Sequence, residues 1–343
     1  TVPNDSSTTW KGHSLSRMAL IVRGRPTEFR ADQVVLQRMD SFDLNSTIFK
    51  SISSPLSRLV LDARLGVEVF YSSAAAKVIS EEYSTLKISV PKQISANAGI
   101  YDFMQTQCDF SCEHADGSFL DHLYFCHDYS AQHYRAHSPR VLLLHSILGV
   151  GTNIFPIKTE QIADLEALLT PFESRHISAF PSFLRLLTVG LVDAMRKLSQ
   201  QDMSQLKHVH FHRVIDNMEC SVTVEDFWIH LNYHVMHFLD FLPAAAWSLQ
   251  LNDPLFQVFR ELYDFLKQHD KCQCTINFDL TSPGEYAAGL PLTLGTLVAR
   301  NVPMKLARTL GAKTIRKYSR ECKHSLKCTF EFAEARRSII VQY

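Results

Sequence analysis

From residue 106 to residue 270, apolar side chains recur at helical spacing in one segment after another, with proline and glycine falling mostly between the segments. The spacing predicts helices over 119–136, 140–148, 159–169, 180–200, 223–241 and 253–269. Consecutive amphipathic segments of this kind must bury their apolar stripes against one another, so the stretch reads as a helical domain. Two predicted starts carry capping signals: Ser118-x-x-Asp121 ahead of Leu120, Leu123 and Tyr124, and Thr223-x-x-Asp226 ahead of Phe227 and Trp228.

The flanks have a different character. Residues 1–17 are rich in Ser, Thr and Asn and read as a loose arm, and from 18 to 105 the pattern is mixed. Leu59-Val60-Leu61, Val67 to Tyr71 and the alternating Leu86 to Val90 look like strands. Beyond Asp270, Cys274 to Leu280 and Cys328 to Tyr343 look extended, with a basic helical stretch near 303–321 between them. The predicted fold class is mainly α: an arm and α+β lead-in over 1–105, the helical domain over 106–270, and a short α+β C-terminal extension over 271–343. No repeat of solenoid period is visible.

Lys+Arg and Asp+Glu both number 35, which removes net charge as an argument for a nucleic-acid partner. Residues 301–343 hold ten Lys/Arg against three acids, a local +7 balanced by −7 over the rest, and a solvated basic face accounts for it. Eight scattered cysteines fit reduced thiols and an intracellular location better than a disulfide scaffold. Cys272-Gln-Cys274 is too isolated for a zinc knuckle, and in a strand would put both thiols on one face. The sequons at Asn4 and Asn45 then read as chance. The longest apolar runs fall short of the roughly 20 residues that cross a bilayer, so no membrane span is expected. The chain begins at Thr1 without Met, so a leader could have preceded it.

Two histidine constellations could carry chemistry. His122 lies one turn inside the helix that Ser118 opens, His114 precedes that helix, and His145 lies on the next one, beyond Ser138-Pro139. Consecutive helices joined by a short loop pack antiparallel, which lets His122 and His145 face each other and a loop histidine close the site. Neutral imidazoles bind Zn, Fe or Mn, and three of them leave open positions for water or substrate. The plainer alternative for His145, set among Leu142, Leu143, Leu144, Ile147 and Leu148, is a core residue that satisfies a backbone carbonyl. The second constellation is His230, His234 and His237, at i, i+4 and i+7 on one helical face. Leu231 stands where a metalloprotease HExxH would have glutamate. One of these three, or of His208, His210 and His212 from the alternating run KHVHFHR, could complete the first site; alternatively the helix packs through its aromatics and shows its histidines to water or to a partner.

Gly117-Ser-Phe-Leu-Asp-His-Leu123, Leu143-Leu-His-Ser-Ile147 running into Gly151-Thr-Asn-Ile-Phe155, and Ile162-Ala-Asp-Leu-Glu-Ala-Leu-Leu169 together resemble an uncharacterised HD-like domain family. Its pattern is a histidine, a small-residue turn, LLDHL, a helix, LFHSIYGT, and a short helix rich in Leu and acid. The resemblance spans about 110–180 and extends toward 270 through Val222-Thr-Val-Glu-Asp-Phe227 and Phe238-Leu-Asp-Phe-Leu-Pro243. It implies kinship with the HD superfamily of helical metal-dependent phosphohydrolases and their di-iron oxygenase relatives. Carried over by position, His122 matches the first histidine of that superfamily and His145 the dyad histidine. Ser146 stands where the dyad aspartate would follow, which removes the carboxylate that bridges two metals. The turn after it reads Ile-Leu-Gly-Val-Gly-Thr, two residues longer than the family's and without its aromatic. The literal His127-Asp128 dipeptide is a decoy, since both of its residues sit on the helix that already carries His122. Asp121 is a further ligand candidate with a competing role as the residue that completes the Ser118 cap.

The resemblance implies a metal-dependent hydrolase or oxygenase acting on a small molecule. His114, His122 and His145 would hold one divalent transition metal (Fe, Mn or Zn), with Asp121, His230 and His234 as additional ligand candidates. Ser146 and the long flanks favour the alternative: a catalytically inactive HD-like scaffold that serves as an assembly subunit, meeting a protein partner through its flanking segments.

Overall fold

The computed structural model of the chain describes residues 98–108, 118–149, 155–239, 254–275 and 304–333, together with three strands nearer the N-terminus. Those strands, β1 (Pro26–Phe29), β2 (Val34–Gln37) and β3 (Glu68–Tyr71), form an antiparallel sheet in the order β1-β2-β3. Val34 pairs with Tyr71 and Gln37 with Glu68. The expected strand at Val67 to Tyr71 is present; those at 59–61 and 86–90 lie outside the described residues, as does the 1–17 arm.

The remaining described elements are mainly helical. In chain order they begin with α1 (Ala98–Gln107), α2 (Ser118–His133), α3 (Arg140–Leu143), a 3₁₀ turn at Thr159–Gln161 and α4 (Ile162–Glu166). Then come α5 (Pro171–Val189), α6 (Leu191–Met195), α7 (Gln200–Gln205), strands β4 (Leu206–His212) and β5 (Glu219–Thr223), α8 (Val224–Leu239), α9 (Pro254–Gln268), α10 (Met304–Glu321) and β6 (Thr329–Phe332). No helix among the described residues is long and apolar enough to cross a membrane.

The start of α5 corrects the prediction that a helix begins at 180, and the reason is local. Thr170 accepts from the backbone N–H of Glu173, and the Glu173 carboxylate accepts from the backbone N–H of Thr170. With Pro171 at N1, this is a complete capping box. Glu173 is itself buried, and it also accepts from the Ser138 hydroxyl at 2.6 Å, which ties the first turn of α5 to the α2–α3 corner. Pro181 sits inside α5, which runs on to Gly190, whose φ of 113° suits glycine and reverses the chain into α6. The predicted helix at 140–148 shortens to α3 followed by turns through Leu148, and His145 lies in those turns.

β4 and β5 form a hairpin inside the segment predicted to be helical, and β6 adds to the other edge of β4 to give the order β5-β4-β6. Val209 and Phe211 of β4 point into the core, while His208, His210 and His212 occupy the half-exposed face. α10 packs on α5, and α9 packs against α5, α8 and α10. One apolar core gathers Phe180, Phe183, Leu186, Phe227, Leu231, Val235, Phe259, Leu262 and Phe330. A second joins α1, the α3 turn and α4 through Ile100, Phe103, Leu144, Ile147, Leu148, Ile162 and Leu165. Each fully buried side chain of this size stabilises by roughly 1.5–3 kcal/mol.

Candidate functional site

Five histidines, His145, His176, His230, His234 and His237, are buried where α5, α8 and the turn after α3 meet. Phe180 lies among them, with ring centroids 4.0 Å from His234, 4.9 Å from His145 and 5.3 Å from His237. The rings of His145 and His237 are 4.6 Å apart. α8 brings its three histidines inward because its whole surface from Phe227 to Phe238 is buried. They do not face water.

Three of these side chains and a carboxylate line up. Asp226 Oδ1 lies 3.5 Å from His176 Nε2, within ion-pair reach and at the outer limit of a hydrogen bond. His176 Nδ1 meets His230 Nδ1 at 3.1 Å, and His230 Nε2 meets His234 Nε2 at 3.2 Å. The hydrogen bond between Asp226 and His176 holds the carboxyl below its ordinary value, with Arg175 beside it helping against partial burial. Burial pushes the His176 imidazole down and drives His230 and His234 well below the ordinary histidine value, with His234 and His176 adding to the effect at His230 and His145 at His234. All three rings are therefore neutral near pH 7, and each bond between them has one donor.

The negative charge of Asp226, 3.5 Å from His176 Nε2, favours a proton on that nitrogen and so orders the tautomers in turn. An acceptor at Asp226 requires the His176 proton on Nε2, so its Nδ1 accepts from His230 Nδ1–H. His230 Nε2 in turn accepts from His234 Nε2–H, which leaves the lone pair of His234 on Nδ1. That atom is buried and has no hydrogen-bond partner among the described residues. At the outer end, Arg175 donates to Asp226 at 3.1 Å and is nearly half exposed, so the chain of imidazoles runs from the surface to the interior. The Thr223 hydroxyl accepts from the backbone N–H of Asp226 at 3.1 Å, so the predicted cap at the start of α8 positions this carboxylate.

His145 is 4% exposed, and its Nδ1 donates to the Leu142 carbonyl at 2.7 Å. Ser146 is buried beside it.

His114 lies outside the described residues, and so do the side chains of Asp121 and His122 on α2. His127 and Asp128 pair with each other at 3.2 Å on α2. On β4, His210 bonds Glu331 at 2.8 Å and His208 approaches the same carboxylate at 3.9 Å, so these histidines serve the sheet. Among the described residues no group of three or more His, Cys, Asp or Glu could hold a metal ion. Imidazole nitrogens can ligate a transition metal, but the described residues do not form a ligand set. His176 was not legible as a site residue because it falls in the 170–179 gap between two predicted helices; the Thr170-Pro171-x-Glu173 signature was the signal that would have extended the helix over it.

Compared with protein-family models, with curated proteins and with solved structures, the chain matches none.

Proposed function

We propose that the helical domain is an HD-like enzyme acting on a small-molecule substrate, a metal-dependent hydrolase or oxygenase, with the buried histidine cluster as its centre. The observation that carries this reading is the orphaned lone pair at His234 Nδ1. An unsatisfied buried polar atom costs about 1–3 kcal/mol, and a metal ion bound at this nitrogen would relieve it. The rings of His145 and His234 both pack on Phe180. A divalent transition metal taken up beside them would supply an activated water or a binding position for dioxygen.

The residues of the chain itself move a proton. When His234 Nδ1 accepts one, His234 Nε2–H passes its proton to His230 Nε2. His230 Nδ1–H then passes its own to His176 Nδ1. The resulting His176 imidazolium stands against the Asp226 carboxylate, so positive charge leaves the apolar interior for an ion pair near the surface.

A second reading, an inactive HD-like scaffold that serves as an assembly subunit, is favoured by Ser146 in place of the dyad carboxylate and by the incomplete ligand set among the described residues. Metal analysis of the purified full chain, as isolated and after reconstitution with Fe²⁺, Mn²⁺ or Zn²⁺, separates the two. The enzyme reading requires a stoichiometric metal that is lost in His122→Ala, His145→Ala and His234→Ala. Absence of metal from both preparations of the unmodified chain overturns it in favour of the scaffold.

A further inference from the structure

The segment Cys272-Gln-Cys274 leaves α9 and is clamped by one fully buried side chain, Asn232 of α8. Asn232 Oδ1 accepts from the backbone N–H groups of both Gln273, at 2.7 Å, and Cys274, at 3.1 Å. Its Nδ2 donates to the carbonyls of Trp228 and Lys271 at 2.8 and 2.9 Å. The C-terminal end of α2 holds the other side: Tyr134 donates to Gln273 Oε1 at 2.8 Å, Tyr129 to the Thr275 carbonyl at 3.0 Å, and Thr275 N–H to the His133 carbonyl at 3.1 Å.

Two successive N–H groups drawn to one oxygen bend the chain, so the segment is not the strand expected from its sequence. The bend matters for the thiols. In an extended strand, side chains two residues apart stand too far apart for a disulfide, whose Cβ atoms must approach to about 3.5–4.5 Å. Here the Cys272 thiol turns back onto the Cys274 carbonyl at 3.6 Å, the Cys274 thiol donates to the Asn232 carbonyl at 3.9 Å, and the two sulfurs lie near enough to perturb each other. The two differ in access: Cys272 is half-buried, whereas Cys274 is 6% exposed.

From this geometry we propose that Cys272 and Cys274 form a redox-active dithiol, with Cys272 the attacking and Cys274 the resolving sulfur, oxidised by hydrogen peroxide and reduced by thiols. The Cys272 thiolate attacks the O–O bond, takes one oxygen as sulfenic acid and releases hydroxide, which is protonated to water. Cys274 gives up its proton and attacks the Cys272 sulfur; the S–S bond forms and the sulfenic oxygen leaves as a second water. Two thiols lose two electrons and the peroxide gains them. The Cys274 hydrogen bond brings the Cys272 thiol down to about 7, with Lys267 helping against partial burial, so a large thiolate fraction exists near neutral pH. The small ring closed by a single intervening residue is strained, which keeps the disulfide easily reduced. Asn232 lies between His230 and His234 on α8, so the clamp that shapes the dithiol belongs to the helix that carries the imidazole chain.

The test is peroxide treatment of the full chain followed by peptide mapping. Both cysteines fall in the tryptic peptide 272–300, whose mass drops by two hydrogens when the disulfide forms and returns after dithiothreitol. In Cys274→Ser, dimedone traps a sulfenic acid at Cys272; in Cys272→Ser the peptide stays unmodified. Alkylation of Cys272 in the unmodified chain follows a pH profile centred near about 7. A peptide 272–300 that stays reduced while other cysteines oxidise, or Cys274→Ser that gives no dimedone adduct at Cys272, overturns the proposal.

Discussion

Acidification unfolds this protein through its histidines before its carboxylates. His230 and His234 are fully buried and held well below the ordinary histidine value by that burial, and burial lowers His324 to about 4 even though its Nε2 donates to the His212 carbonyl. In the unfolded chain the same rings titrate near about 6.5. Below that pH the unfolded state binds protons that the folded state refuses, so stability rises with pH across this window and falls on acidification. A ring that titrates unfolded but stays neutral folded contributes about 1.4 kcal/mol of loss between roughly pH 7.5 and 5.5. Three such rings give about 4 kcal/mol, a large share of the roughly 5–15 kcal/mol that holds a domain together. His176 acts in the same direction, whereas Asp226, held below its ordinary value, keeps its stabilising charge until the pH falls further. Urea unfolding at a series of pH values measures the slope, and His324→Gln, which retains a donor for the His212 carbonyl, reduces the loss by about a third. A stability that stays flat or rises between roughly pH 7.5 and 5.5 would refute neutral burial of these rings.

Two substitutions test the supports of the site. Asn232→Ala removes four hydrogen bonds to backbone groups and leaves buried donors and acceptors unmatched, which costs about 3 kcal/mol in chemical unfolding. Thr170→Ala breaks the capping box that starts α5 and costs about 1 kcal/mol in the same assay, with Thr170→Ser close to neutral.

Much of the helical framework was legible because strong apolar periodicity needs no tertiary information. The segments 223–241 and 253–269 correspond to α8 and α9, and the Thr223 cap was visible as a motif. What could not be read depended on context. Pro171 fell between the helices predicted over 159–169 and 180–200, yet it starts α5 at N1, so the gap left between those predictions hid His176. The run KHVHFHR alternates histidine with Lys, Val and Phe instead of a plain polar and apolar pair, and its β6 partner lies more than a hundred residues on, so β4 looked like a source of ligands. The faces of α8 misled as well: histidines at i, i+4 and i+7 admit an exposed stripe, and only its burial on every side turns them into a buried cluster. The inward lone pair of His234 follows from the approach of Asp226 to His176 at the far end of the line, which no spacing rule contains.

The most direct test of the buried imidazole chain is the side-chain nitrogen-15 spectrum of histidine-labelled full-length protein near neutral pH, recorded before and after addition of Zn²⁺. The chain requires neutral rings with the proton on Nε2 of His176, on Nδ1 of His230 and on Nε2 of His234. Metal binding at the cluster then shifts His234 Nδ1 out of the free lone-pair range. A His234 ring protonated at Nδ1, or a spectrum that Zn²⁺ leaves unchanged, would contradict an inward-facing site.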